Sequence, residues 1–343
     1  MAILKLSNGK IVGANNRPYI VAELNTSHFG DLGIAKEMIS ATKMAGADCV
    51  KFQSWSDSSL YSKTYYDQFP MTKRFIKKFS LKNEELIELA NYAKQIDIDF
   101  ASTPYSNHEV DFLIEICKVP YIKVASMDLN NLEFLDYIAS KKVPIIISTG
   151  MSTIDEIILT VSKLHSIHAN FALLHCVSLY PTPPKQVNLN NINLLRKSFP
   201  DNVIGFSDHT LGIENAIASI ALGASIIEKH LTLDKSRIGL DNQMAIEQDE
   251  FSNMVTSCHT VFDSLGSSSR ELCDEEIKQR LLMRRSVVSK YDLDPGHVIT
   301  SDDLEFKRPG SGIPLSELSN VIGKKVRIKI SANEVISRND LEI

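Results

Sequence analysis

From Pro18 onward the chain alternates short β-branched runs with amphipathic stretches. The apolar runs at 19–23, 49–53, 99–103, 121–125, 144–148, 171–176, 203–207 and 226–231 read as parallel strands, which are covered on both faces and so stay apolar throughout. Between them, apolar residues recur at helical spacing over 32–45, 83–95, 108–116, 132–140, 154–166, 189–198, 213–222 and 248–265. Eight such β/α units in about 250 residues have the size and count of a (β/α)8 TIM barrel. A doubly wound open sheet is disfavoured, because no Gly-rich dinucleotide loop follows the first strand. Ahead of the barrel, Asn8-Gly9 stands between two short alternating runs and predicts a tight hairpin that caps the barrel.

The pattern changes after Leu265. Residues 1–265 read as hairpin plus barrel, and 266–285, opening Gly266-Ser267-Ser268-Ser269, as a linker with a charged helical stretch. Residues 286–343 read as a small turn-rich β domain, with runs at 286–288 and 325–329 punctuated by Asp294-Pro295-Gly296 and Arg308-Pro309-Gly310.

With 343 residues, 43% of them hydrophobic, the chain can bury a full core. A net charge of -5 without a basic stretch argues against a nucleic-acid partner. The five cysteines are odd in number and include no CxxC pair, so they predict neither a disulfide framework nor a thiolate zinc site. No signal segment or bilayer-length apolar run is evident, which predicts a cytoplasmic protein without a membrane partner.

Polar residues interrupt the apolar runs where a barrel keeps its chemistry, at the C-terminal strand ends. They are Glu23; Lys51 and Gln53; Ser102 and Thr103; Lys123 leading to Ser126 and Asp128; Ser148; Ser178 and Tyr180; Ser207 with Asp208-His209; and Glu228 with His230. A lone serine or threonine there reads as a cap. A lysine inside a barrel strand, as in Val50-Lys51-Phe52 and Ile122-Lys123-Val124, either faces an anion or snorkels to the surface, and burial without an anionic partner is rare. His209 and His230 end adjacent strands. Either they share a divalent cation, with Asp208, Glu228 and Asp241 close by, or they are separate core histidines; open N/O ligation would suit Mn2+, Mg2+ or Fe2+.

At these residues the chain resembles the N-acetylneuraminate (sialic acid) synthase family over essentially its whole length. The resemblance is carried by Ala22-Glu23, His28-Phe29-Gly30-Asp31, Val50-Lys51-Phe52-Gln53, Ser102-Thr103-Pro104, Lys123-Val124-Ala125-Ser126 and Ser148-Thr149-Gly150-Met151. It continues through Tyr180-Pro181-Thr182-Pro183, Gly205-Phe206-Ser207-Asp208-His209-Thr210, Glu228-Lys229-His230-Leu231 and Lys307-Arg308-Pro309-Gly310. It implies a TIM barrel followed by an antifreeze-like (SAF) domain, and condensation of phosphoenolpyruvate with an N-acyl amino sugar, N-acetylmannosamine by default, with release of phosphate. Glu23, Lys51, Lys123, His209 and His230 are the implied catalytic set, with a divalent metal, Mn2+ by default, on the two histidines. Thr103, Ser126, Ser148, Ser178 and Ser207 join the lysines around phosphoenolpyruvate, and Glu228 lies in the substrate site. Gln53, Asp128, Tyr180 and Asp241 face the sugar. Arg308 reaches the neighbouring subunit's site, which implies a domain-swapped homodimer.

The chain departs from the family's usual pattern at Ser126-Met127-Asp128 (Ser-Gly-Glu), Gly239-Leu240-Asp241-Asn242 (Gly-Pro-Asp-His) and Ser178 (often Asn). The first two lie on the sugar side, so a bacillosamine-derived acceptor leading to legionaminic or pseudaminic acid is the competing expectation. Two rivals remain: a class I aldolase with a Schiff base on Lys51 or Lys123, and a non-catalytic sugar-binding subunit, which would have no use for all five catalytic residues.

Overall fold

The computed structural model describes residues 2–13 and 15–342. The chain opens on an antiparallel hairpin of β1 (Ile3–Lys5) and β2 (Ile11–Gly13). Its turn closes through Gly9 N donating to Leu6 O and Leu6 N donating to Lys10 O, both at 2.9 Å. Gly9 adopts φ +90°, a conformation glycine takes without a Cβ penalty. Leu4, Leu6 and Val12 join a buried cluster with Tyr19, Tyr121 and Ala172, so the hairpin plugs the end of the barrel where the strands begin.

Eight parallel strands follow: β3 (Tyr19–Glu23), β4 (Cys49–Ser54), β5 (Asp99–Pro104), β6 (Ile122–Val124), β7 (Ile145–Ser148), β8 (Phe171–Cys176), β9 (Val203–Asp208) and β10 (Ile226–His230). Their order is β5-β4-β3-β10-β9-β8-β7-β6, and β5 and β6 complete the ring side by side without a hydrogen-bonded ladder. The connecting helices are α1 (Leu32–Met44), α2 (Lys63–Gln68), α3 (Pro70–Phe79), α4 (Asn83–Gln95), α5 (Asn107–Glu115) and α6 (Leu132–Ser140). They continue with α7 (Ile154–Ser166), α8 (Asn190–Ser198), α9 (Glu214–Ala221) and α10 (Gln248–Ser264). This is the TIM-like barrel expected. Side chains alternate between two faces along each strand. Ile20, Ala22, Val50, Phe52, Phe206 and Ile227 face the helix layer. The other face fills the interior, apolar near the strand starts and polar at their ends, which is what places the site.

Two local expectations change. Strand β6 is shorter than the run at 121–125, and the chain leaves it for a 3-10 turn over Ser126–Asp128. Between β4 and α4 the chain also builds α2 and α3, which the sequence pattern did not announce. Ser62 caps α2 by accepting from Tyr65 N, and Pro70 opens α3, a position where its missing N–H costs nothing.

The contacts divide the chain into two compact units, Met1–Gly266 and Ser267–Ile343. The second contains α11 (Asp274–Met283), within the stretch read as a linker, and the antiparallel pair β11 (Ser286–Ser289) and β12 (Leu304–Lys307). Its core gathers Val287, Leu293, Ile299, Val321, Val326 and Ile336. The run at 325–329 makes single bridges, Val298 with Lys325 and Val326 with Leu341, rather than a strand. Turns at Gly323 and Asn333, both at positive φ, bound that segment. Among the described residues no helix is long and apolar enough to cross a membrane, and all five cysteines are free.

Candidate active site

Strand register brings the polar ends together. On the inward face, Glu23 is level with Lys51 and His230, Gln53 with Thr103, and Ser207 with Glu228. They line a cavity of about 450 Å³ at the C-terminal end of the barrel, together with Lys123, Ser126, Ser148, Ser178, Tyr180, His209 and Asp241. Gly205, also inward-facing on β9, leaves the space taken by Leu174; a Cβ there would lie 2.5 Å from Leu174 Cδ2 and from Ile226 O.

Both lysines are buried, and both have carboxylate partners from the protein itself. Lys51 pairs with Glu23 and lies 3.6 Å from Glu228 Oε2, while Lys123 Nζ lies 3.8 Å from Glu228 Oε1 and donates to Ser148 Oγ at 2.7 Å. Lys51 also donates to Thr103 Oγ1 at 3.3 Å, and Ser207 Oγ donates to Glu228 Oε1 at 3.0 Å. Burial opposes charge on Lys51, but Glu228 and Glu23 outweigh it and hold its pKa above the usual lysine value. Burial wins at Lys123, whose pKa falls below the usual value despite Glu228. For Glu228, burial pushes upward and Lys123 and Lys51 reverse it, so the carboxyl stays ionised. Two lysines and two glutamates thus form the floor of the cavity, with burial raising the Glu23 carboxyl despite Lys51, and neither lysine snorkels to the surface. Glu23 is further held by Asn25 N donating to Oε1 at 2.8 Å and by the Gln53 amide at 3.3 Å.

His209 and His230 stand with ring centroids 5.6 Å apart, and the Tyr180 ring lies 4.2 Å from that of His209. His209 Nδ1 donates to Val177 O at 2.8 Å, which leaves Nε2 for another partner. His230 is held neutral by burial, with His209 and Lys51 adding to the effect, and its buried Nδ1 has no hydrogen-bond partner. Among the described residues no three His, Cys, Asp or Glu side chains form a ready-made cage. Two imidazoles, one with an orphaned buried nitrogen, fit an open site that leaves other positions to water or substrate.

Two expected neighbours, Asp208 and Asp128, lie elsewhere. Asp208 points away from the cavity, because it is one residue out of phase with Ser207 and bonds Lys229 and Thr210 on the helix-facing side of the sheet. Asp128 does not line the cavity; the 3-10 turn carries it round to accept from Asn131 Nδ2 at 3.2 Å. Arg308 is exposed in the second unit. The sequence reading also missed Asn25, Trp55 and Tyr105, which line the cavity. Asn25 Nδ2 bonds Asp241, and Tyr105 Oη donates to Gln53 Oε1 at 2.7 Å. Their signal was position, since each sits just past a strand end.

Residues 38–270 match the NeuB family and residues 284–342 the SAF domain. The chain belongs to the NeuB family. It is 39% identical to an uncharacterised protein of Methanocaldococcus jannaschii, over 97% of each chain. It is 34% identical to the N,N'-diacetyllegionaminic acid synthase of Legionella pneumophila, over 98% of each. Among solved structures, the N-acetylneuraminic acid (sialic acid) synthetase of Leptospira borgpetersenii serovar Hardjo-bovis superposes with a TM-score of 0.75 at 30% identity, covering 81% of this chain and 96% of that one.

Proposed function

We propose that this NeuB-family protein condenses phosphoenolpyruvate with an N-acyl amino sugar and water, releasing phosphate and forming a sialic-acid-type nonulosonate. The observation that carries the reading is the pair of buried lysines, flanked by Thr103, Ser148 and Ser207, in one cavity with two histidines. Two ammonium groups surrounded by hydroxyl donors suit a small molecule that carries both a carboxylate and a phosphate. On binding, those anionic groups take over the lysine contacts that Glu23 and Glu228 hold in the free site. C3 of phosphoenolpyruvate bonds to the sugar's aldehyde carbon, water adds at C2, and the C2–O bond to phosphate breaks. Glu23, fixed by Asn25 N and Gln53, takes the proton from that water. A divalent cation on His209 and His230, Mn2+ by default, would supply Lewis-acid polarisation of the aldehyde oxygen.

N-acetylmannosamine is the default acceptor. A bacillosamine-derived sugar is the second reading, supported by one specific observation: Met127 and Leu240, at the two sugar-side departures, both line the cavity, where they would offer apolar surface to an acceptor. We further propose that the working form is a homodimer in which Arg308 of a second copy serves the acceptor's N-acyl group. Purified protein should be assayed with phosphoenolpyruvate, Mn2+ and a panel of N-acyl hexosamines, with products identified by mass spectrometry. Phosphate release that stops with chelator supports the synthase. Borohydride trapping of pyruvate with full activity in chelator would establish the aldolase instead.

A further inference from the structure

A buried polar network outside the cavity lies directly behind the two histidines. Asp208 on β9 and Lys229 on β10 are paired in register, and their side chains are 0% and 1% exposed. Lys229 Nζ donates to Asp208 Oδ2 at 2.9 Å and to Thr210 O at 2.6 Å, while Asp208 Oδ1 accepts from Thr210 N and Thr210 Oγ1 at 2.8 and 2.7 Å. Lys229 therefore grips the chain on both sides of His209, and is itself the residue before His230. Asn215 Nδ2 extends the network by donating to Thr210 Oγ1 at 3.2 Å.

An ion pair buried this deeply is weak evidence for stability, because desolvation offsets much of its attraction and a well-packed apolar pair can be as stable. Its geometry is specific, however. It ties the turn that carries His209 to the strand that carries His230, and it lies on the face of the sheet away from the cavity.

We infer that Asp208 and Lys229 are positioning residues that hold the two imidazoles at the spacing and orientation a shared divalent cation requires. This deepens the reading of His209 and His230 as metal ligands and rests on it. Neither residue touches substrate or cation; each acts through the backbone of the histidine beside it.

The test is Mn2+ binding to the full-length protein, followed by electron paramagnetic resonance and by titration calorimetry, with phosphoenolpyruvate binding to metal-free protein as the parallel readout. Lys229→Met and Asp208→Asn should each weaken Mn2+ binding about 10- to 100-fold, the range expected when a group that orients a metal ligand is lost. Phosphoenolpyruvate binding should change less than about threefold, on the same principle that only metal ligation is disturbed. If the single variants fail to fold, the double variant Asp208→Leu/Lys229→Met, which replaces the pair with apolar groups, should fold and still bind Mn2+ weakly. Parental Mn2+ affinity in a folded variant overturns the inference, as does an equal loss of Mn2+ and phosphoenolpyruvate binding. Mn2+ binding that survives both His209→Ala and His230→Ala overturns the underlying ligand assignment instead.

Discussion

Glu228 shares its carboxylate between the two buried lysines, with Oε2 3.6 Å from Lys51 Nζ and Oε1 3.8 Å from Lys123 Nζ. Lys123 has no other carboxylate within ion-pair distance among the described residues. Glu228→Gln should therefore leave a buried ammonium uncompensated and destabilise the protein by about 3 kcal/mol. Phosphoenolpyruvate should restore more stability to the variant than it adds to the parent, because its anionic groups replace the lost charge. Thermal melts with and without phosphoenolpyruvate measure this, and an equal upshift in both proteins would mean the anion binds away from the lysines.

The lysines themselves give the complementary result. Lys51→Met and Lys123→Met each remove charge-assisted hydrogen bonds worth about 1.5–3 kcal/mol. kcat/KM for phosphoenolpyruvate should fall about 10- to 100-fold in each variant on the same magnitudes. Unchanged kinetics in steady-state assays would detach both residues from the substrate.

The barrel was legible because almost every strand announced itself twice, by its apolar run and by the polar residue at or just past its end. The lysines illustrate what was not legible. Val50-Lys51-Phe52 shows a buried cation that needs an anion, but not that Glu23 and Glu228 supply one, since that pairing depends on register between strands distant in sequence. Asp208 shows the reverse failure. It is adjacent to His209, yet the two-residue period of the strand sends neighbouring side chains to opposite faces. The helices α2 and α3 escaped because the repeating β/α pattern allots one helix to each strand, and α4 already fills that place after β4.

Removal of the metal ligands should separate chemistry from folding. His209→Ala and His230→Ala should each abolish phosphate release from phosphoenolpyruvate, and chelator should do the same to the parent protein. Thermal stability should change by less than about 1.5 kcal/mol, as expected where no buried partner is orphaned. Near-normal turnover of both variants would remove the metal from the proposed reaction.

Arg308 tests the assembly. Arg308→Ala should raise KM for the N-acyl sugar more than KM for phosphoenolpyruvate, since the resemblance assigns it to the acceptor. Mixing it with a Glu23→Ala protein should partly recover activity after subunit exchange, because a swapped heterodimer holds one site with both lesions and one with neither. No recovery despite exchange, followed by native mass spectrometry, would assign Arg308 to its own chain or to no site.

The last prediction concerns Asp241, whose carboxyl is raised by burial from 3.8 to about 6, with His209 pulling the other way. A raised carboxyl means that the folded protein holds a proton the unfolded chain has already lost. Asp241 therefore contributes stability that is fully present below about pH 4 and disappears as pH rises through about 6. A shift of that size corresponds to at most about 3 kcal/mol. Asp241→Asn keeps the shape but cannot ionise, so its stability relative to the parent should improve between pH 4 and pH 7 by an amount approaching that figure. Urea melts of both proteins across this range, in chelator so that no cation competes for the site, provide the measurement. A stability difference independent of pH would mean that Asp241 ionises in the folded protein as readily as in the unfolded chain.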